Sequence, residues 1–480
     1  MVAIHSRQAP VPENGQFVQM PNGLVDRAVR LIPERRGVLA EPPPGSGLAP
    51  IPGRAGLPFL GDTLQALHYG SAYALDLVDR FGKMVWTRGF GRDMVFAAGG
   101  EAIDSVLSNR DRAFVTGQKD LIDPFFHGGL LLLDFEEHRL DRRIMQQAFM
   151  PDRLRAYFTR VAELVDDRIG QWPTGRPVKL YPAVKNLSMD IAADVFMGVR
   201  LGPEADRLTA AFEAMLLASE SPIRFPVPGS RWRAGLRGRN ELERYFANML
   251  PDKRASTGTD FFSVFCHIET EDGRRFSDRK VIDHMIFLLL AAHDTSTITA
   301  TVSAYFLGKH PEWQRRARAE SLALGDGPLD TAALDSLTAL DLVIKESMRI
   351  IAPVPFIMRK AVKDTEVDGY FVPAGANVLL GAIANHFLPE YWTDPWKFDP
   401  DRFGPDRRED KSHRYAWMPF GAGVHKCIGM YFAIQEVKAM LHAMLRTYEW
   451  DFPTEYEMPW QMSALPFPKD GVPITLRPRR

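Results

Sequence analysis

The sequence predicts a mainly α fold with small β-sheets. Three observations carry this. From about residue 101 onward, apolar residues recur at helical spacing with polar punctuation, so helix outweighs strand. One run, from Ser277 to about Gly308, stays helical in pattern for ~30 residues, or ~45 Å at 1.5 Å per residue. The strand-like runs are short and paired. Met84-Val-Trp-Thr-Arg-Gly-Phe-Gly91 and Met94-Val-Phe-Ala-Ala98 flank Gly91-Arg-Asp93 and read as a hairpin. No internal repeat is evident.

Composition narrows the function. The chain has 480 residues, 45% hydrophobic and 25% charged, which is ordinary for a globular protein with a large core. Length alone suggests about three domains, a soft bound. A formal net charge of −1 offers no general attraction for nucleic acid. Two cysteines, Cys266 and Cys427, give no disulfide framework and fit a reducing compartment, so a cytoplasmic location is expected. No window holds the ~18 uninterrupted apolar residues of a spanning helix. The first 16 residues lack the apolar centre of a secretory leader.

Residues 1–46 read as an extension ending in the Glu41-Pro-Pro-Pro-Gly-Ser-Gly47 linker. Within it, Val25, Ala28, Val29, Leu31 and Ile32 suit a short amphipathic helix beside Arg27, Arg30, Arg35 and Arg36. It could pack on the protein or make peripheral contact with a membrane. Residues 115–133 read as an apolar loop that packs inward or lines a pocket. In Glu137–Phe149, His138 and Arg142 are four apart and share a helix face. Paired cations there suit carboxylates, or a solvated surface. A break at 222–230 precedes Arg231, Arg233, Arg237 and Arg239, which read as a solvated basic loop or as a lid touching membrane.

The long helical run contains a local contradiction. It is apolar nearly all round at 285–292, so it should be buried. Yet His293, Asp294 and Thr295 follow directly, and buried polar groups are costly unless hydrogen-bonded. Functional sites are where such rules break. A threonine hydroxyl there can also bond back to the carbonyl four residues earlier. Downstream, Glu346 and Arg349 sit at i, i+3 on an apolar helix and face the same way. Val367–Leu380 reads as a hairpin around Pro373-Ala-Gly375. Finally, Pro419-Phe-Gly-Ala-Gly-Val-His-Lys-Cys-Ile-Gly429 sets Cys427 among glycines before an apolar helical run. A thiol at a helix start favours the thiolate, and glycines let a flat ligand approach the backbone. Such a thiolate is a plausible ligand for a soft metal.

Taken together these stretches resemble the cytochrome P450 family. The loop reads F-G-x-G-x-H-x-C-x-G, Ala291-Ala-His-Asp-Thr295 is similar to A-G-x-D/E-T, Glu346-Ser-Met-Arg349 to E-x-x-R, and Pro400-Asp-Arg-Phe403 to P-x-R-F. The resemblance covers about residues 47–480 and implies one large P450-fold domain there. It implies haem b (iron protoporphyrin IX) with Cys427 as the metal ligand, and Ala291, Phe420, Gly421 and Gly429 beside it. It implies propionate contacts from His138, Arg142, Arg359 and His425, dioxygen activation by Asp294 and Thr295, and a structural clamp of Glu346, Arg349 and Arg402. Phe287, Ala291, Phe356 and Ile357 become pocket candidates for an apolar substrate such as a lipid, sterol, terpenoid or fatty acid. Electrons are expected from a separate ferredoxin with its reductase, or a flavodoxin-type donor, steered by Arg407, Arg408, Lys411, His413, Arg414 and Lys426. A monomer is expected. Two departures stand out: Ala292 where glycine is usual, and His425 where arginine is commoner. A peroxygenase or isomerase on the same fold, or a haem-binding sensor or sequestering protein, are the alternatives.

Overall fold

The computed structural model describes residues 29–479, apart from Arg30, Pro33, Phe59, Phe90, Leu201, Pro203, Glu220, Pro222, Ile223, Glu271, Pro328 and 462–464. The helix expected at Val25–Ile32 lies largely outside the described residues. The chain divides into two compact units. One comprises Met1–Val115, Leu342–Lys426 and Phe452–Val472, and the other Thr116–Asp341, Cys427–Asp451 and Pro473–Arg480.

The first unit is built on a seven-stranded sheet. Its spatial order is Arg36–Val38, Pro52–Arg54, Met84–Gly89, Arg92–Ala97, Asn377–Gly381, Phe356–Ala361 and Phe114–Thr116. The hairpin expected at residues 84–98 forms, with register from Met84↔Ala97 to Gly89↔Arg92. One face buries Trp86, Val95, Val378 and Leu380, and the opposite face buries Val85, Phe96 and Leu379, as the two-residue side-chain period requires. The hairpin expected around Pro373-Ala-Gly375 is displaced. Thr365–Val367 instead pairs with Tyr370–Val372. The turn is Asp368-Gly369, with φ of 51° and 78°, the pair of positive φ values that a two-residue type I′ turn demands and Asp-Gly supplies. Asn377–Gly381 leaves that pair and joins the main sheet between Arg92–Ala97 and Phe356–Ala361.

The second unit is helical and centred on Asp278–Lys309, a 32-residue helix. Ser277 caps it, its side chain accepting from Lys280 N–H at 3.3 Å, which satisfies one orphan donor of the first turn. Leu180–Ala192, Arg231–Ala255 and Met430–Thr447 pack against it. By length and composition it could cross a bilayer, but most of it is buried inside the protein.

Two expectations change here. Residues 115–133 are not one loop: Lys119–Phe126 is helical despite Pro124, and Leu130–Leu132 is a 3₁₀ turn. The helix forms because Phe125 and Phe126 are fully buried, Phe125 edge-on to Trp232 at 4.9 Å. The stretch 231–239 is not a loop either. It opens the 25-residue helix Arg231–Ala255, capped by Ser230. Arg231, Arg233 and Arg237 are exposed, but Arg239 is buried. Its Nε donates to Glu243 at 2.6 Å and its Nη2 pairs with Asp283, so this arginine is an internal tie.

Candidate active site

Between Val281 and Gly308 every residue of the long helix is buried except Leu290, Ala291, Ala292 and Thr295. Ala291 is exposed outright, and Thr295 lies on the same face one turn on. A core helix thus opens one small patch, at the position where the sequence breaks its own apolar pattern. Phe287, one turn earlier, is buried; a Cβ on Gly129 would stand 2.6 Å from its own Cβ. Glycine at 129 therefore lets the 127–133 segment lie directly against the helix beside the patch.

The threonine hydroxyls at the break bond within their own helix and His293 reaches a neighbouring one, while buried His293 Nδ1 and Asp294 Oδ1 make no hydrogen bond among the described residues. Thr295 Oγ1 donates to Ala291 O at 2.8 Å, the back-bond expected of it. Thr297 does the same to His293 O at 2.9 Å. His293 Nε2 donates to Lys185 O at 3.0 Å, and its Nδ1 lies 3.4 Å from Asp294 Oδ1. Lys185 Nζ is 3.7 Å from Asp294 Oδ1 and 2.9 Å from Glu213, which reaches solvent. Burial alone would raise the Asp294 pKa, but His293 and Lys185 outweigh it and hold the carboxyl below its ordinary value.

Sequence reading missed Glu436. It is fully buried on Met430–Thr447 and accepts from Ser296 at 2.7 Å and Ser188 at 3.3 Å. Burial drives its pKa from 4.5 to about 7, against the smaller lowering by the two serines. Ser188 also lies 3.3 Å from His293 O. Its single proton cannot serve both acceptors fully, so a protonated Glu436 completes the chain by donating to Ser188. The only sequence signal is a charged residue in an apolar helical stripe.

The two cysteines differ in setting. Cys266 is buried in Phe261–His267, and burial pushes its pKa up to about 11. Cys427 is exposed, two residues before the Gly429 cap of Met430–Thr447. Gly421 and Gly423 have φ of 68° and 65°, so these two positions need glycine; Gly429, at φ −91°, does not. Phe420 is half-buried, its ring edge-on to Trp417 at 6.1 Å. On Phe135–Gln146, His138 is buried and Arg142 half-buried. Burial lowers the Arg142 pKa while the nearby Cys427 sulfur opposes the drop. A guanidinium beside an accessible thiol favours the thiolate. This donor set fits a soft metal centre in a flat apolar group.

In the first unit, Arg359 donates from Nη2 to His425 Nδ1 at 3.2 Å, so two expected propionate partners meet. Ile357 and Phe356 do not share a face. Phe356 packs with Phe96 at 5.7 Å, whereas Ile357 lies toward Gly421, where a Cβ would be 3.5 Å from it. Adjacent strand residues alternate, so these two side chains lie on opposite faces of Phe356–Ala361. Glu346 Oε2 accepts from Arg349 Nε at 2.7 Å, while Oε1 accepts from Arg349 Nη2 at 2.9 Å, Asp399 N–H at 2.9 Å and Arg402 Nε at 3.1 Å. All three side chains are fully buried. Glu409, 2.8 Å from Arg402, supplies the second carboxylate that balances two arginines. Of the expected basic patch, Arg407 pairs with Asp399 and Glu409, Lys411 with Asp410 and Arg414 with Asp104; Arg408 and Lys426 are also exposed.

The family model described as Cytochrome P450 matches residues 50–472. The chain belongs to the cytochrome P450 family. A Mycobacterium tuberculosis protein, putative cytochrome P450 136, is 47% identical over 454 residues, covering 93% of this chain and 92% of that protein. Abscisic acid 8'-hydroxylase 3 of Oryza sativa subsp. japonica is 29% identical, covering 88% of this P450 and 85% of its own length. Among solved structures, retinoic acid-bound cyanobacterial CYP120A1 superposes with a TM-score of 0.80 at 26% identity, covering 89% of this chain and 99% of that one. The P450 is thus a mainly helical monooxygenase, an oxidoreductase of a family that binds haem b through a cysteine thiolate.

Proposed function

We propose that this P450 hydroxylates an isoprenoid-like apolar substrate, with Cys427 as the thiolate that would hold the haem iron and Asp294 and Thr295 as its proton-handling pair. The observation that carries the site is the one break in burial between Val281 and Gly308, where Ala291 is exposed and Leu290, Ala292 and Thr295 are half-buried. When bound, haem supplies the iron at which dioxygen is activated. Cofactor contacts fall to His138, Arg142, Ala291, Arg359, Phe420, Gly421, His425 and Gly429. Glu346, Arg349 and Arg402 have no chemical role and hold the fold. Phe287, Ala291 and Ile357 are the pocket candidates.

The chain's own part in turnover is proton supply. Thr295 Oγ1 swings off Ala291 O and offers its hydrogen to the space over the patch. Asp294 leaves Lys185, accepts a proton, and passes it toward Thr295. Glu213 and Lys185 connect Asp294 with solvent. Ala292, bulkier than glycine, narrows the space slightly. Thr295→Ala should still consume NAD(P)H when supplied with electrons, but product per electron pair should fall ~10-fold or more, with hydrogen peroxide in its place. Equal coupling in mutant and wild type would remove Thr295 from this role.

The substrate class rests on an apolar patch, on a structural neighbour solved with retinoic acid bound and on a relative named as an abscisic acid hydroxylase, both of these acids being isoprenoid. A spectral titration with retinoic acid, abscisic acid, a sterol and palmitic acid tests it. Displacement of water from iron should occur with the isoprenoids; a response to palmitic acid alone contradicts the proposal. Electrons come from a separate ferredoxin- or flavodoxin-type protein, with exposed Arg408 and Lys426 as candidate contacts. A cytoplasmic monomer fits the reduced cysteines, and sedimentation tests the monomer.

A further inference from the structure

We infer that His386 is a positioning residue: it couples the Arg349 end of the clamp to the turn that opens the Cys427 loop. The proposal rests on the assignment of Cys427 as the thiolate that would hold the haem iron. His386 is fully buried and follows the short helix Ala382–Asn385. Its Nδ1 lies 3.0 Å from Arg349 O, a pure acceptor, so Nδ1 carries the proton. Nε2 is then the acceptor, and it takes the Met418 N–H at 3.0 Å. Arg349 Nη1 returns a bond to His386 O at 2.7 Å. The imidazole is thus a rigid two-ended spacer, held by the clamp on one side and holding Met418 on the other. Burial, with Arg349 adding to it, pushes its pKa down to about 3, so the acceptor stays available across the working range.

The neighbouring contacts reinforce this geometry. Asn385 Nδ2 donates to Tyr415 O at 3.0 Å, and Gly99 N–H donates to Asn385 Oδ1 at 2.7 Å. Met418 O in turn accepts from Gly421 N–H at 3.0 Å. The turn at 415–421 is therefore gripped at Tyr415 and at Met418 by adjacent buried side chains. Gly421 and Gly423 take their positive φ values directly after it, and Cys427 follows along the chain. A clamp that holds Arg349 in place thereby fixes where the loop starts.

The test compares His386→Gln with His386→Asn in the haem-loaded protein. A glutamine amide oxygen stands where Nε2 does and still accepts from Met418 N–H. An asparagine amide stands where Nδ1 does, keeps a donor for Arg349 O, and strands the Met418 N–H. A stranded buried donor should shift the loop ~10-fold or more toward a displaced turn. The asparagine variant should lose most of the thiolate-type Soret band of its reduced CO complex and shift its iron midpoint potential. The glutamine variant should keep both. Equal spectra and potentials in wild type and the asparagine variant overturn the proposal, as does equal loss in both variants. If the asparagine variant gives no soluble protein, amide exchange at Met418 in the glutamine variant decides. Retained protection supports the spacer, and lost protection with an intact band overturns it. A wild type without the thiolate band defeats the Cys427 assignment itself, and this proposal with it.

Discussion

Replacing Glu346 with alanine is expected to abolish recovery of folded, haem-loaded protein. The carboxylate receives four hydrogen bonds, three of them from two fully buried arginines. Its removal leaves Arg349 with carbonyl acceptors only, and Arg402 with carbonyls and Glu409. Removing one partner of a buried pair costs about 3–5 kcal/mol because a charge is left uncompensated. Here two cations share that partner. Total stability of a domain is only about 5–15 kcal/mol, so one substitution consumes most of it. Soluble yield and the ratio of Soret to protein absorbance are the readouts. A soluble mutant with wild-type haem content would show that the network is ornamental. Glu346→Gln, which keeps volume and one acceptor, should be intermediate.

The second large effect is a pH-dependent one at Glu436. Its folded pKa stands near 7 against an ordinary 4.5 because the carboxyl is fully buried. A raised carboxyl pKa leaves stability intact below pH 4.5, where folded and unfolded chains are both protonated. Between 4.5 and 7 the unfolded chain releases the proton and the folded one does not, so stability falls as pH rises. Above 7 the loss is complete, at about 3 kcal/mol. Glu436→Gln cannot ionise; its amide oxygen accepts from Ser296 and its N–H donates to Ser188, as the protonated carboxyl does. It should match wild type near pH 4.5 and exceed it by about 3 kcal/mol at pH 8. Thermal unfolding followed across that range checks this, and parallel curves for the two proteins would count against the assignment.

How much of this was legible depended on whether a residue acts locally. Gly421 and Gly423 announce themselves because positive φ is a property of one residue. The Ser277 cap and the long helix are legible for the same reason. The polar break at 293–295 could be located, since a buried helix should not carry it, but its partners could not. Lys185, Ser188, Glu213 and Glu436 come from other helices, and nothing in the spacing brings them to the polar stretch 293–296. Glu409 is a similar case: two arginines on one carboxylate called for a second anion, and only the fold identifies it. Local cues also competed. Asp368-Gly369 and Pro373-Ala-Gly375 both signal turns, and the type I′ pair took the hairpin. Arg239 shares its surroundings in sequence with exposed arginines, yet Asp283 draws it inside.

Cys427 is the proposed thiolate ligand of the haem iron, and the reduced CO complex tests that role most directly. Wild-type protein should show the far-red-shifted Soret band of thiolate ligation. Cys427→His should bind haem without that band. A normal imidazole-type band in the wild type, or an unchanged shifted band after Cys427 is replaced, contradicts thiolate ligation by Cys427.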